Sequence, residues 1–170
     1  MEKLIRKKLR YNGYDYSTPG YYFVTICTHN KAKIFGEVNA LNSMGQIAQE
    51  ELELVATRIN GVSIDKFIVM PNHIHAIIVI GCENNKNDST EKYLHPVEYM
   101  GLDRIIQLYK SGVTRRIHKE IDGNINVWQK SYYDVILSTK RLYDNAWYYI
   151  ENNPIEDKMR KTEFGYFGDD

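Results

Sequence analysis

Residues 67–80 read FIVMPNHIHAIIVI, two apolar, β-branched runs with only Pro71-Asn72 between them. A Pro-Asn pair turns a chain tightly, so GVSIDKFIVM (61–70) and the run 73–80 read as consecutive strands joined by a turn. Whatever the chain folds into must hold that pair of strands. It must also hold two imidazoles, His73 and His75, inside the second run. Val or Ile would pack there at no polar cost, whereas a buried ring nitrogen has to find a partner. Strand side chains alternate faces, so His73, His75, Ile77 and Val79 share one face and Ile74, Ala76, Ile78 and Ile80 the other. The rise per residue separates the two histidines by roughly 6.5–7 Å along the strand.

The other elements follow from period and punctuation. GYYFVTICTHN (20–30), after the turn signal STPG, reads as a strand. Residues 44–58 carry Ile47, Leu52, Leu54 and Val55 with a helical rhythm. A second helix is expected over 102–121, with an apolar stripe from Leu102 through Ile105, Ile106, Tyr109 and Val113 to Ile117, and with Gly112 weakening its middle. YYDVIL (132–137) reads as a strand. A last helix is then capped by Ser138 or Thr139 and stopped by Pro154. The order β-α-β-β-α-β-α predicts an α+β, ferredoxin-like or RRM-like sandwich: an antiparallel sheet of four to five strands, helices packed on it and the histidines on a central strand. One domain is expected over 1–170, with a basic N-terminal arm (1–12), a polar connector (81–100) and a C-terminal tail (155–170).

No apolar run is long enough to span a bilayer and MEKLIRKKLR lacks a signal-peptide core, so no membrane partner and a cytoplasmic setting are expected. The two cysteines, Cys27 and Cys82, support neither a disulfide framework nor a zinc ribbon. With 22 basic and 22 acidic residues the formal net charge is +0, which argues against a polyanion partner. Its distribution argues the other way: Arg6, Lys7, Lys8 and Arg10 gather in the arm, and Lys110, Arg115, Arg116 and Lys119 on the second helix. On charge alone, solvated helix surface is the favoured explanation of these charges.

A His-x-His pair on one strand face can hold a divalent ion between two nitrogens, or it can be two hydrogen-bonded structural histidines. An ion needs at least a third donor. Tyr149 and Asn153 in WYYIENNP are four apart and share a helix face; an Asn carbonyl is a hard oxygen suited to Mg²⁺ or Mn²⁺. A core tyrosine and a helix C-cap fit the same two residues.

Several segments taken together resemble one family. HIH on a strand followed by a late YIxxNP helix is similar to the single-tyrosine HUH transposases of the IS200 type, and more closely to the REP-associated tyrosine transposases. Residues 13–38, VMPNHIHAIIVI (69–80), IIQLYKSGVTRRI (105–117) and VWQKSYYDVILS (127–138) resemble that family's segments in family order. The resemblance implies that His73, His75 and Asn153 are metal ligands and Tyr149 the nucleophile. It implies a metal-dependent enzyme that cleaves and rejoins single-stranded DNA beside a hairpin through a 5′-phosphotyrosine, with Mg²⁺ or Mn²⁺ as cofactor, as monomer or homodimer.

The basic residues then become candidate phosphate contacts, and Tyr14, Tyr16 and Tyr132 candidate stacking partners for bases as well as ordinary packing. Two other readings compete. One is a non-catalytic module that grips hairpin DNA or RNA. The other is a metal hydrolase or structural zinc domain, which the missing Cys/His quartet disfavours.

Overall fold

The computed structural model describes residues 13–81, 98–121 and 123–156. The whole basic arm (1–12), with Arg6, Lys7, Lys8 and Arg10, lies outside them, as do most of the polar connector with Cys82 and most of the tail. Among the described residues, six strands and three α-helices run in the order β1 (Gly20–Cys27), β2 (Gly36–Glu37), β3 (Ala40–Leu41), α1 (Ser43–Arg58), β4 (Val62–Met70), β5 (His73–Ile80), α2 (Leu102–Glu120), β6 (Tyr133–Ile136) and α3 (Lys140–Glu156).

Strands β4, β5, β1 and β6 form one antiparallel sheet in that spatial order, so the histidine strand β5 is central. Each of the first two helices connects strands separated by one other: β1-α1-β4 straddles β5, and β5-α2-β6 straddles β1. This is the split βαβ arrangement of the ferredoxin-like sandwich. The register sets Thr25 opposite His75, and Cys27 opposite His73.

The two sheet faces have different covers. Ile74, Ala76, Ile78 and Ile80 of β5 pack with Val24 and Ile26 against α1 and α2, through Ile47, Leu52, Ile105 and Val113. On the opposite face Phe23 and Ile77 pack with Leu137 and with Ala146 and Ile150 of α3. The strict alternation along β5 therefore sends its aliphatic side into the larger core and its histidine side toward α3. Helices α1 and α3 start on side-chain caps, whereas α2 starts at Gly101 without one: Asn42 Oδ1 accepts from Gly45 N at 3.0 Å, and Thr139 Oγ1 accepts from Leu142 N at 3.3 Å.

Three expectations need correction. The first strand ends at Cys27, and His29–Lys31 form a 3-10 turn with left-handed backbone at Asn30 (φ 52) and Lys31 (φ 53). The second and third strands of the chain, absent from the expected order, form a separate two-stranded ribbon, β2-β3, whose turn uses Asn39 at φ 65; Asn tolerates that conformation better than most residues. Last, α3 does not stop at Pro154 but continues to Glu156. Proline lacks the N–H for one i→i−4 hydrogen bond, and the helix runs only two residues past it. The helix is therefore continuous through Tyr149 and Asn153, which keep their one-turn spacing. Among the described residues, no helix is long and apolar enough to cross a membrane.

Candidate active site

The hairpin turn places His73 and His75 at the open end of β5, on the face that α3 covers. Their rings converge: Nε2 of His73 lies 3.1 Å from Nε2 of His75, with ring centroids 4.6 Å apart. That is much closer than the strand rise alone sets, because both rings lean toward a common point. His75 is 2% exposed, and its ring stacks on Phe23 at 5.4 Å and 21°. Burial, with His73 beside it, pushes the His75 pKa well below the usual imidazole range, so this ring is neutral and keeps a lone pair for bonding. Both outer nitrogens have partners: His73 Nδ1 meets Asn72 Oδ1 at 2.7 Å, and His75 Nδ1 meets Thr25 Oγ1 at 2.9 Å.

Helix α3 brings Tyr149 to the same place. Its ring lies 5.1 Å from the His75 ring at 72°, and 6.0 Å from Phe23 at 77°. Tyr149 and His73 are half-buried, whereas Asn153, one turn further along α3, is 3% exposed. The neighbouring Tyr148 points away and is 62% exposed.

The donor set suits a small divalent cation. The two Nε2 atoms, 3.1 Å apart, are close enough for one ion to bond both. Among the described residues there is no cluster of three His, Cys, Asp or Glu side chains that could hold a metal, so a third protein ligand here has to be of another type. An amide oxygen such as that of Asn153 is such a donor.

The second-helix cations separate by environment. Arg115 and Lys119 are exposed. Arg115 lines an open groove of about 430 Å³ with Lys110, Ser111, Thr114 and Trp128. Lys110 Nζ donates to the carbonyls of Gln129 (2.9 Å) and Ser131 (2.8 Å). Arg116 instead pairs with Glu50 at 2.8 Å, Glu120 at 2.8 Å and Glu51 at 3.5 Å. Its charge is consumed within the protein. The tyrosines offered as stacking partners are packed: Tyr14 and Tyr16 meet edge to face at 5.1 Å, and Tyr132, 5% exposed, donates to Asp103 at 2.8 Å.

Sequence reasoning overlooked Thr25, Asn72 and Phe23 around the histidines. The alternation of β1, which puts Phe23 and Thr25 on one face, was the available signal for two of them.

No family model matches the chain. An uncharacterized protein of Haemophilus influenzae is 31% identical over 160 residues, covering 88% of each chain. Among solved structures, that of a REP-associated tyrosine transposase bound to a REP hairpin aligns with a TM-score of 0.59 at 17% identity, over 87% of this chain and 73% of the other. At that identity the likeness is one of fold.

Proposed function

The chain belongs to the family that includes the Haemophilus influenzae protein and has the fold of the REP-associated tyrosine transposase, and from that premise we propose that it is a metal-dependent transposase acting on single-stranded DNA beside a hairpin. The observation that carries the reading is the packing of the Tyr149 ring on the His75 ring, on the sheet face where the two imidazole Nε2 atoms converge. A core tyrosine has no need of a paired-imidazole neighbour.

In this reading His73, His75 and Asn153 hold Mg²⁺ or Mn²⁺. A cation held there would supply Lewis-acid polarisation of the scissile phosphodiester and stabilisation of its developing negative charge. Tyr149 supplies the nucleophile. Its phenolic oxygen attacks phosphorus, forming the Oη–P bond as the P–O3′ bond breaks. The phenol gives up its proton and the departing strand leaves as a 3′-hydroxyl. The 5′-phosphotyrosine keeps the bond energy, so another 3′-hydroxyl rejoins DNA by the reverse attack. Phe23 and His75 fix the face of the Tyr149 ring, so little rotamer freedom is lost when the substrate arrives. Arg115, Lys119 and Lys110 meet backbone phosphates, with Arg6, Lys7, Lys8 and Arg10 of the arm beside them. One chain brings its own Tyr149 to its own histidines, so the reading needs no second copy.

The test is a covalent adduct. Protein, Mg²⁺ or Mn²⁺ and a hairpin-flanked single-stranded oligonucleotide are expected to give a denaturation-resistant protein–DNA band. Tyr149→Phe should abolish the band and keep hairpin binding; chelation should do the same. Equal adduct yield from Tyr149→Phe would rule that residue out as nucleophile. Hairpin binding by the wild type with no adduct under any divalent ion would establish the non-cutting module instead.

A further inference from the structure

Building on the reading of His73 and His75 as a ligand pair, we infer that two neighbours are positioning residues of different kinds. Asn72 holds the His73 tautomer fixed, and Thr25 lets the His75 tautomer follow the occupancy of the site.

The His73 side follows from acceptor chemistry. An amide oxygen only accepts, so the 2.7 Å contact from Asn72 Oδ1 puts the proton on His73 Nδ1 and the lone pair on Nε2. The other end of the amide sets that orientation, because Asn72 Nδ2 donates to Lys31 O at 3.4 Å. A flipped amide would oppose two oxygens there. Lys31 O is aimed by the left-handed turn at Asn30 and Lys31. The turn is tied to the hairpin by Thr28, whose N donates to Asn72 O at 3.0 Å and whose buried hydroxyl lies 2.9 Å from the same oxygen. Asn72 is thus held from both sides and presents one acceptor to His73.

The His75 side differs because a hydroxyl both donates and accepts. Two Nε2 lone pairs do not face each other across 3.1 Å, so in metal-free protein His75 Nε2 carries the proton and donates to His73. Thr25 Oγ1 then donates to the bare His75 Nδ1 at 2.9 Å. When a cation occupies the space between the rings, His75 Nε2 must be bare. Its proton is lost to solvent, another is taken up at Nδ1, and the Thr25 hydroxyl rotates to accept it. His75 carries one proton in both states. A carboxylate at position 25 would accept only and forbid the metal-free arrangement. The remaining described ring contacts of His75, to Phe23 and Tyr149, give Nδ1 no substitute.

Long-range ¹⁵N NMR of the imidazoles reads this directly, without DNA. His73 is expected as Nδ1–H both without metal and with saturating Mg²⁺, while His75 moves from Nε2–H to Nδ1–H. Thr25→Val should weaken Mn²⁺ binding, read by EPR titration, by about 10–100-fold, and Thr25→Ser should restore it. Asn72→Ala should give mixed His73 tautomers and a similar loss. Backbone amide spectra of each variant establish that it is folded. A bare Nδ1 on His73, His75 already Nδ1–H without metal, or wild-type affinity in Thr25→Val overturns the inference. Expected tautomers and Mn²⁺ binding with no DNA adduct would sink the proposed activity alone. A wild type that binds no Mn²⁺ would sink the ligand pair and this inference together.

Discussion

Gly112 lies mid-way along α2, where alanine would be expected to gain about 0.8–1 kcal/mol of helix propensity. The structure reverses that sign. A Cβ at position 112 would stand 2.4 Å from Glu51 Oε2 and 3.3 Å from its Cδ. A surface carboxylate would swing aside, but Glu51 is 3% exposed and is held by Arg58 at 2.7 Å and Arg116 at 3.5 Å. Forcing an extra methyl into such a contact costs about 1–3 kcal/mol. Displacing the carboxylate weakens a charge-assisted bond with a net worth of about 1.5–3 kcal/mol. Set against the propensity gain of about 0.8–1 kcal/mol, a carboxylate displacement of about 1.5–3 kcal/mol leaves Gly112→Ala less stable by about 0.5–2 kcal/mol. In urea unfolding the midpoint should fall with the slope unchanged. On a Glu51→Ala background the same substitution should become neutral or stabilising, because the methyl enters space the carboxylate has left. That sign change is the coupling a double-mutant cycle measures. A Gly112→Ala protein as stable as the wild type would show that the Glu51 clamp gives way freely and would refute the reasoning.

The adjacent arginines should separate affinity from stability. Arg115→Ala is expected to weaken hairpin-DNA binding and flatten the slope of log K against log salt by about 0.7–0.9, whereas Arg116→Ala should lower the urea midpoint and leave the slope alone. Equal loss of affinity from both would mean that the carboxylates around Arg116 do not occupy it. At Tyr143 the hydrogen bond to Asp65, with burial adding to it, raises the phenol pKa to about 12. The group is protonated when folded, so its contribution is complete below the unfolded value near 10 and is lost as pH rises through 12. Asp65→Asn should bring that titration down, seen in phenolate absorbance as the step missing from Tyr143→Phe; an unmoved step would break the assignment.

The sheet was readable because its signals are local. Alternation along residues 73–80 and a two-residue turn are enough to assign β4, β5 and their faces, and the spacing of Tyr149 and Asn153 survives in α3. The ribbon β2-β3 was not readable, since strands of two residues carry no period. Pro154 misled because a local rule about helix interiors says little about a last turn. At the site, the paired imidazoles were visible in HIH, but their 3.1 Å approach was not, nor was the contact of Thr25, which meets His75 from the neighbouring strand. Arg115 and Arg116 look alike in sequence. Only the approach of α1 reveals that one is neutralised and the other is not.

The unequal covers of the sheet have a mechanical meaning. Among the described residues, the histidine strand is anchored from below by twenty-four buried side chains, whereas five form the cluster that seats the tyrosine-bearing helix. Local opening follows the weaker seat. The helix that carries the phenol is therefore expected to loosen before the strand that carries the imidazoles.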